Sequence, residues 1–234
     1  MNVKRRYDGT ARQAQAEQIR LALIETARDM LLGDGYAAVT MPKVASACGV
    51  SVESVYKRFP GKPSLVRAVV EHALHGTGSV AAEARSDALG ADDLGELLQG
   101  WGRLSAEVAP RVAPILLLIQ RAAARDVELA DLARELDANR RARMTENAHR
   151  LADAGHLPPG LSVEQTTDIL WTYSSPEVYD LLVMRSGWKL DEYATFITAG
   201  LAAHLDTHPA GPAGFGSRSS SSNSRTCAEN SPVG

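Results

Sequence analysis

The chain has 234 residues, 44% of them apolar and 23% charged, which is enough apolar content for one or two folded cores and excludes an intrinsically disordered protein. Its formal net charge is −3, yet the segment through Lys62 carries +4 and the remainder −7. A basic N-terminal part on an acidic chain favours contact between that part and a polyanion.

Two features of the sequence predict a cytoplasmic location. The polar run TARQAQAEQ follows the basic N-terminal residues, where a secretory signal would need an apolar core. The longest apolar run, Val112–Ile119, is far shorter than the roughly 20 residues that span a bilayer. Cys48 and Cys227 lie in unrelated contexts, so we expect both thiols to be reduced.

The first predicted element is a long amphipathic helix. Apolar residues recur every three or four positions from Gln13 to Leu32, and the sequence GDGY then ends the helix, because Gly is common just past a helix end. Thr40 is placed to cap a second, shorter helix. Pro42 fits the first turn of that helix, where the amides lack intrahelical partners.

Two more helices follow in close succession. Gly49 breaks the chain, Ser51 caps a third helix, and Val55 and Phe59 lie four residues apart on its inward face. A fourth helix begins at GKPSL, with proline suited to its first turn, and runs to about residue 75.

The remaining sequence also has helical periodicity. We expect helices over Asp92–Val108, Pro110–Arg125, Asp126–Ala154, Val163–Ser174, Pro176–Arg185 and Leu190–Leu205. No segment alternates with a period of two, so the predicted fold class is all-α. The Gly-, Ser- and Pro-rich segment from Pro209 onward predicts disorder, since it has little apolar surface to bury.

The second and third helices, joined at a tight glycine turn, form a candidate helix-turn-helix, whose second helix can lie in the major groove of DNA. Its predicted outward face is polar and cationic: Val52, Glu53, Ser54, Tyr56 and Lys57. Lys57 and Lys62 can reach phosphates, and the Tyr56 hydroxyl can donate to a phosphate oxygen. The backbone amides at the start of the fourth helix offer a further phosphate-binding site.

The stretch VTMPKVASACGVSVESVYKRFPGKPSLV, preceded by the long helix and GDGY, resembles the TetR family of bacterial transcriptional regulators. The resemblance implies a homodimer with two DNA-binding heads and a helical ligand domain. Matched position by position, it implies phosphate contacts at Thr40 and Tyr56 and a backbone contact at Lys62. The complete predicted DNA-binding set is Thr40, Lys43, Ser51, Val52, Glu53, Ser54, Tyr56, Lys57 and Lys62, with Val52, Glu53, Ser54 and Lys57 as the base-reading face.

Glu53 departs from the family pattern, because Gly, Pro or Lys is common at this position. One interpretation is structural: an acid in the first turn of a helix complements the helix dipole. The other is functional, because a carboxylate can accept a hydrogen bond from the N4 amino group of cytosine. The two roles are compatible.

With this resemblance the chain divides into four predicted parts: a flexible basic arm at 1–12, a three-helix helix-turn-helix head at 13–75, a helical effector-binding and dimerisation domain at 76–207, and a disordered tail at 208–234. Aromatic, Met and polar residues on the helices of the larger domain are candidates for an effector pocket. These are Trp101, Leu117, Gln120, Met144, Trp171, Tyr173 and Ser174. They suit a hydrophobic or aromatic small molecule.

The last helices carry more apolar surface than one thin layer buries, which predicts a four-helix dimer interface. Its predicted residues are Ile169, Leu170, Phe196, Ile197, Leu201 and Leu205.

The predicted function is a homodimeric repressor that a small effector releases from a palindromic double-stranded operator. An activator or a ligand-independent regulator of the same fold is an alternative, as is a helical protein-interaction module without DNA binding. No catalytic motif is evident, and His72 and His75 lack a third ligand at a matching spacing, so we expect neither an enzyme nor a bound metal or cofactor.

Overall fold

A computed structural model describes residues 9–76 and 78–205, and within these ranges the chain is helical with no β-strand. The predicted all-α fold, with a helix-turn-helix head on a larger helical domain, is confirmed. The helices are α1 Gly9–Asp34, α2 Met41–Ala47, α3 Val52–Arg58, α4 Lys62–His75, α5 Ala82–Asp87, α6 Leu94–Ala123, α7 Val127–Asp153, α8 Val163–Tyr173, α9 Pro176–Tyr179 and α10 Leu190–Leu205. Most of the predicted basic arm and the whole predicted tail lie outside the described residues.

The head consists of α1 to α4 around one apolar core. Leu23 of α1, Val44 of α2, Val55 of α3 and Leu65 of α4 have no exposed surface. Helices α2 and α3 have only seven residues each and could not be stable alone. Each is therefore held by the inward residue that it contributes to a core shared with the longer helices.

The larger domain is built around α6, which packs against α10, α7 and α4. Helix α10 lies close to α6 at Gly102, where an added Cβ would be 2.2 Å from Thr198 Oγ1 and 2.8 Å from the Ala194 carbonyl oxygen. A short 3₁₀ turn at Tyr36–Ala38 links α1 to α2, and a π-helical segment at Asp180–Arg185 continues α9.

Three features of this domain differ from the sequence predictions. Asp92–Val108 and Pro110–Arg125 were expected as two helices, but α6 is continuous through Pro110 and Pro114. Each proline removes one backbone hydrogen bond, and buried side chains on both sides, such as Leu98 and Ile115, hold the two halves in line. Helix α5 was not predicted, and the segment expected as a helix to Arg185 changes to π-helical geometry after Tyr179.

None of the helices in the described part of the chain is both long enough and apolar enough to cross a membrane.

Candidate nucleic-acid interface and adjoining cavity

Side-chain caps fix the starts of both helices of the helix-turn-helix. The Thr40 hydroxyl accepts from the Lys43 amide at 3.4 Å, and the Ser51 hydroxyl accepts from the Ser54 amide at 3.1 Å. Gly49 between them adopts φ 64°, a left-handed conformation that glycine reaches without strain. The two caps and the glycine turn predicted from the sequence are therefore confirmed.

Helix α3 separates cleanly into an inward and an outward face. Val55 and Phe59 are at most 3% exposed, whereas Val52 is 38% and Tyr56 49% exposed. Ser51, Glu53 and Lys57 are exposed and Ser54 is half-buried. An apolar valine and a tyrosine this exposed on a short helix are available to a partner whose groove admits a helix, as the major groove of DNA does.

The other predicted DNA-binding residues flank this helix. Lys43 is exposed on α2, and Thr40 is half-buried because its side chain serves as the cap. Arg58, which the sequence analysis did not include, donates to the Ser54 carbonyl oxygen at 2.9 Å. This bond ties the guanidinium to its own helix.

Lys62, the first residue of α4, lies at a junction between the head and the larger domain. Its ammonium nitrogen is 3.6 Å from the centroid of the Tyr36 ring, a cation–π contact. Burial lowers the pKa of Lys62, and this outweighs the nearby negative charge of Asp126, which acts to raise that pKa. Burial, followed by the charges of Asp126 and Glu128, raises the pKa of Tyr36 to about 12. Asp126 also caps α7 by accepting from the Leu129 amide at 3.0 Å, so this junction connects the start of α4 with the start of α7.

A cavity of about 400 Å³ adjoins the head, within the size range of small-molecule sites. Four residues of α4, Arg67, Val70, Glu71 and Leu74, form part of its wall, and helices α5 to α10 supply the rest. The helix that begins at the candidate DNA interface is thus also a wall of the cavity.

Four of the seven predicted pocket residues line this cavity: Trp101, Met144, Tyr173 and Ser174. Gln120 instead lines a separate space of about 20 Å³, and Leu117 is buried away from both. Trp171 lines neither, because its ring packs under Arg140 and Arg141, whose guanidinium carbons are 4.9 and 5.3 Å from its centroid. These three residues are therefore corrected as members of the main cavity wall.

Asn147, a buried polar residue of this cavity, was not predicted from the sequence. Its side chain is 5% exposed, it lines the cavity, and its Oδ1 has no hydrogen-bond partner. Nearby in the wall, the Trp101 indole N–H donates to the Ser86 hydroxyl at 3.1 Å. An asparagine in a strongly polar helix gives no sequence signal of burial, which is why Asn147 was not singled out.

The three arginines that line the cavity already have carboxylate partners. Arg67 binds Glu135 in a bidentate pair at 2.9 and 2.5 Å. Arg140 donates to Asp137, and Arg143 donates to Asp87 and Glu146. In the chain as described, no group of three or more His, Cys, Asp and Glu side chains is placed to hold a metal ion.

The predicted dimer residues fall into two groups. Leu170, Ile197, Leu201 and Leu205 are at most 3% exposed within one protomer, because this stripe of α8 and α10 packs into the protomer's own core. They present no outer apolar surface, which corrects their prediction as contacts with a second copy.

Phe196 and Ile169 remain available, with Phe196 36% exposed and Ile169 half-buried. Phe196 contacts Trp188 edge to face, with ring centroids 5.8 Å apart. The large apolar side chains left exposed on this part of the surface are Leu181, Met184, Trp188, Leu190 and Phe196.

Comparison with known proteins gives a family match within the head. Residues 23–69 match the family model described as bacterial regulatory proteins, tetR family. No curated protein sequence matches the chain significantly.

The whole fold is similar to that of several solved structures. A TetR-family transcriptional regulator from Rhodococcus sp. aligns with a TM-score of 0.62 at 15% identity, covering 81% of this chain and 99% of that chain. The SmeT–triclosan complex aligns with a TM-score of 0.62 at 17% identity, covering 80% and 90%. A transcriptional regulator from Saccharomonospora viridis in complex with choline aligns with a TM-score of 0.58 at 16% identity, covering 78% and 95%. The TM-scores of these alignments show a shared fold.

Proposed function

We propose that this chain, a DNA-binding transcriptional regulator with the helix-turn-helix head of the tetR family, acts as a homodimeric repressor that a small apolar or aromatic effector releases from a palindromic operator. The observation that carries the proposal is the double role of α4. This helix begins at Lys62, a predicted phosphate contact, and its buried residues share the core of the head with α3. Four of its residues line the 400 Å³ cavity or its edge. A ligand in the cavity would thus contact a helix that also belongs to the core on which the DNA-binding helix packs.

In this proposal residues 13–75 bind DNA and residues 76–207 bind the effector and the second subunit. The exposed side chains of Val52, Glu53 and Lys57 face the bases, with Ser54 beside them. Thr40, Lys43, Tyr56 and Lys62 contact the phosphate backbone, and Ser51 holds the N-terminus of α3 at the groove. Two copies of α3, one per subunit, would enter successive major grooves about 34–36 Å apart, so the operator is a palindrome.

The proposed dimer surface is the exposed apolar part of the last helices. Phe196 lies on α10 and contacts Trp188, which precedes that helix. Leu190 is the first residue of α10, and Ile169 lies on α8. A surface of this kind is unusual on a monomer, and an isologous contact between two copies would cover it.

The dimer proposal is tested by Phe196→Glu, which places a charge in the proposed contact. We expect monomers in size-exclusion chromatography with light scattering, together with loss of tight operator binding. Val127→Glu is the control, because Val127 is 77% exposed at the start of α7 and is not part of this surface. A Phe196→Glu protein that remains dimeric would place the interface elsewhere.

The DNA-binding role is tested by selecting bound sequences from random fragments and then measuring affinity against salt. Lys62→Ala removes one phosphate contact, so it should weaken binding to all sequences about equally and lower the salt slope by about one unit. Arg134→Ala, at an exposed arginine of α7 in the larger domain, should change neither. Loss of affinity for one sequence alone would make Lys62 a base reader, and an activator would be recognised by raised transcription from the selected site.

A further inference from the structure

The wall of the cavity contains a buried carboxamide without a partner for its oxygen, that of Asn147. Its Oδ1 has no hydrogen-bond partner, and the residue is 95% buried. An unpaired buried acceptor destabilises a folded protein, whereas an apolar side chain of the same shape would carry no such cost. The expected partner of this group is therefore a molecule that occupies the cavity.

The charges around the cavity narrow the class of that molecule. Arg67, Arg140 and Arg143 are each engaged with carboxylates, so none of these cations is free to hold an anionic ligand. Of the glutamates in the wall, Glu135 is paired with Arg67, and Glu71 and Glu83 are exposed at its rim. An anionic ligand would lose its hydration without meeting an unpaired cation in the wall, and a cationic ligand would meet Glu71 and Glu83, whose carboxylates are exposed to solvent.

The rest of the wall is mainly apolar and aromatic. Trp101, Tyr173 and Tyr193 contribute ring surface, and Leu104, Val108 and Met144 contribute aliphatic or thioether surface. Trp101 already uses its N–H on Ser86, so it presents the ring and not a donor.

We infer that the effector is an uncharged molecule with an apolar, preferably aromatic, body and a hydroxyl or amide N–H group that donates to Asn147. This inference rests on the proposed function only in taking the cavity as the effector site. The carboxamide also has two N–H donors, so a hydroxyl, which both donates and accepts, suits it best. The ligand's polar group would satisfy the buried acceptor, and its body would fill the apolar part of the cavity.

The test is isothermal titration of the whole protein, without DNA, with four matched probes: 4-hydroxybiphenyl, biphenyl, biphenyl-4-carboxylate and 4-biphenyltrimethylammonium. We expect the hydroxyl compound to bind about tenfold more tightly than biphenyl, since one hydrogen bond to a buried group contributes about that factor. The two charged analogues should bind more weakly than either. Quenching of tryptophan fluorescence, with Trp101 in the wall, provides a second readout.

Two variants on α7 make the assignment specific to one residue. Asn147→Leu keeps the shape and removes the polar group, so the preference for 4-hydroxybiphenyl should disappear while biphenyl binding is retained. Asn139→Leu is the matched control, because Asn139 also lines the cavity but is exposed, and it should leave the preference intact.

The inference is overturned if a charged analogue binds best, if Asn147→Leu keeps the tenfold preference, or if the hydroxyl probe fails to bind up to its solubility limit. Operator binding is measured separately on the same preparations. A protein that binds its operator but shows no hydroxyl preference would contradict this inference and leave the DNA-binding proposal standing. A protein that shows the preference but binds no DNA would do the opposite.

Discussion

Among single residues, Asn147 has a proposed ligand contact that comes with a cost in the stability of the free protein. Because its buried Oδ1 is unpaired in the free protein, Asn147→Leu should raise the free energy of unfolding by about 1–2 kcal/mol. For a chain of this size that corresponds to a melting temperature higher by about 2–8 °C. Thermal denaturation followed by circular dichroism measures it. Asn139→Leu should change stability by less than about 0.5 kcal/mol, and a destabilised Asn147→Leu protein would mean that the amide is satisfied in the native state.

One substitution can distinguish the two roles proposed for Glu53. It is exposed in the first turn of α3, where it is placed both to complement the helix dipole and to reach a base edge. Glu53→Ala should relax the preference at one operator base pair, a loss of about 1–3 kcal/mol of discrimination, measured by competition among operators that differ at that position. Glu25→Ala on α1 makes the same change in charge and should leave the preference as it is. An unchanged preference in Glu53→Ala would leave only the helix role.

At the scale of elements, the close contact between α6 and α10 depends on Gly102. A Cβ there would meet Thr198 and the Ala194 carbonyl, the latter on backbone that cannot move without shifting α10. Gly102→Ala should therefore lower the free energy of unfolding by about 1–3 kcal/mol despite the better helix propensity of alanine. Gly33→Ala in α1 has no atom within 4 Å of the new Cβ and should be neutral or slightly stabilising. Urea denaturation compares the two, and equal effects would show that α10 adjusts freely.

The head could be predicted from its sequence because its signals are local. Thr40, Gly49 and Ser51 each determine the backbone within a few residues, and the structure has both caps and the turn where they were expected. The spacing of Val55 and Phe59 likewise identifies the inward face of a helix with one buried side.

The larger domain was harder to predict because tertiary packing decides its details. Pro110 is a local stop signal, but α6 continues because both of its halves are buried against the same neighbours. From the sequence, the apolar stripe of α10 that includes Leu201 could pack either in the core of its own protomer or against a second copy. In the structure it packs in the protomer core. Trp171 has the composition of a pocket residue, yet arginines of α7 cover its ring. Sequence periodicity gives the face of a helix but not what covers that face.

At the scale of the whole molecule, two tyrosines should make stability depend on alkaline pH. Burial raises the pKa of Tyr193 to about 12, and the same cause with nearby carboxylates raises that of Tyr36 to about 12. The folded state therefore favours the neutral phenols, and their contribution is present in full below pH 10, the ordinary tyrosine value, and is lost as pH rises toward 12. Urea unfolding between pH 9 and 12 should show this decline, and Tyr36→Phe and Tyr193→Phe should each reduce its slope. A decline in both variants that is as steep as in the unsubstituted protein would contradict the assignment.

The proposed coupling between effector and operator would involve the entire subunit. Arg67 on α4 and Glu135 on α7 form a bidentate ion pair that also lines the cavity, so a ligand that displaces α7 or α4 acts on this pair directly. A ligand can weaken DNA binding only by binding more tightly to a conformation in which the two α3 helices are wrongly spaced. Such coupling is typically about 1–3 kcal/mol, or about 5- to 150-fold in operator affinity.

Glu135→Gln should reduce this coupling more than it changes either affinity alone, because it weakens the link between α4 and α7 without removing a cavity wall. The coupling is measured by fluorescence anisotropy of labelled operator with and without 4-hydroxybiphenyl. It is measured again as the change in effector affinity on adding operator, since the two factors must be equal. Arg134→Gln breaks an exposed ion pair with Asp131 on the same helix, outside the cavity wall, and should leave the coupling unchanged. If Glu135→Gln retains the full factor in both directions, the signal reaches the head by another route, of which the Lys62–Tyr36 contact at the start of α4 is the next to test.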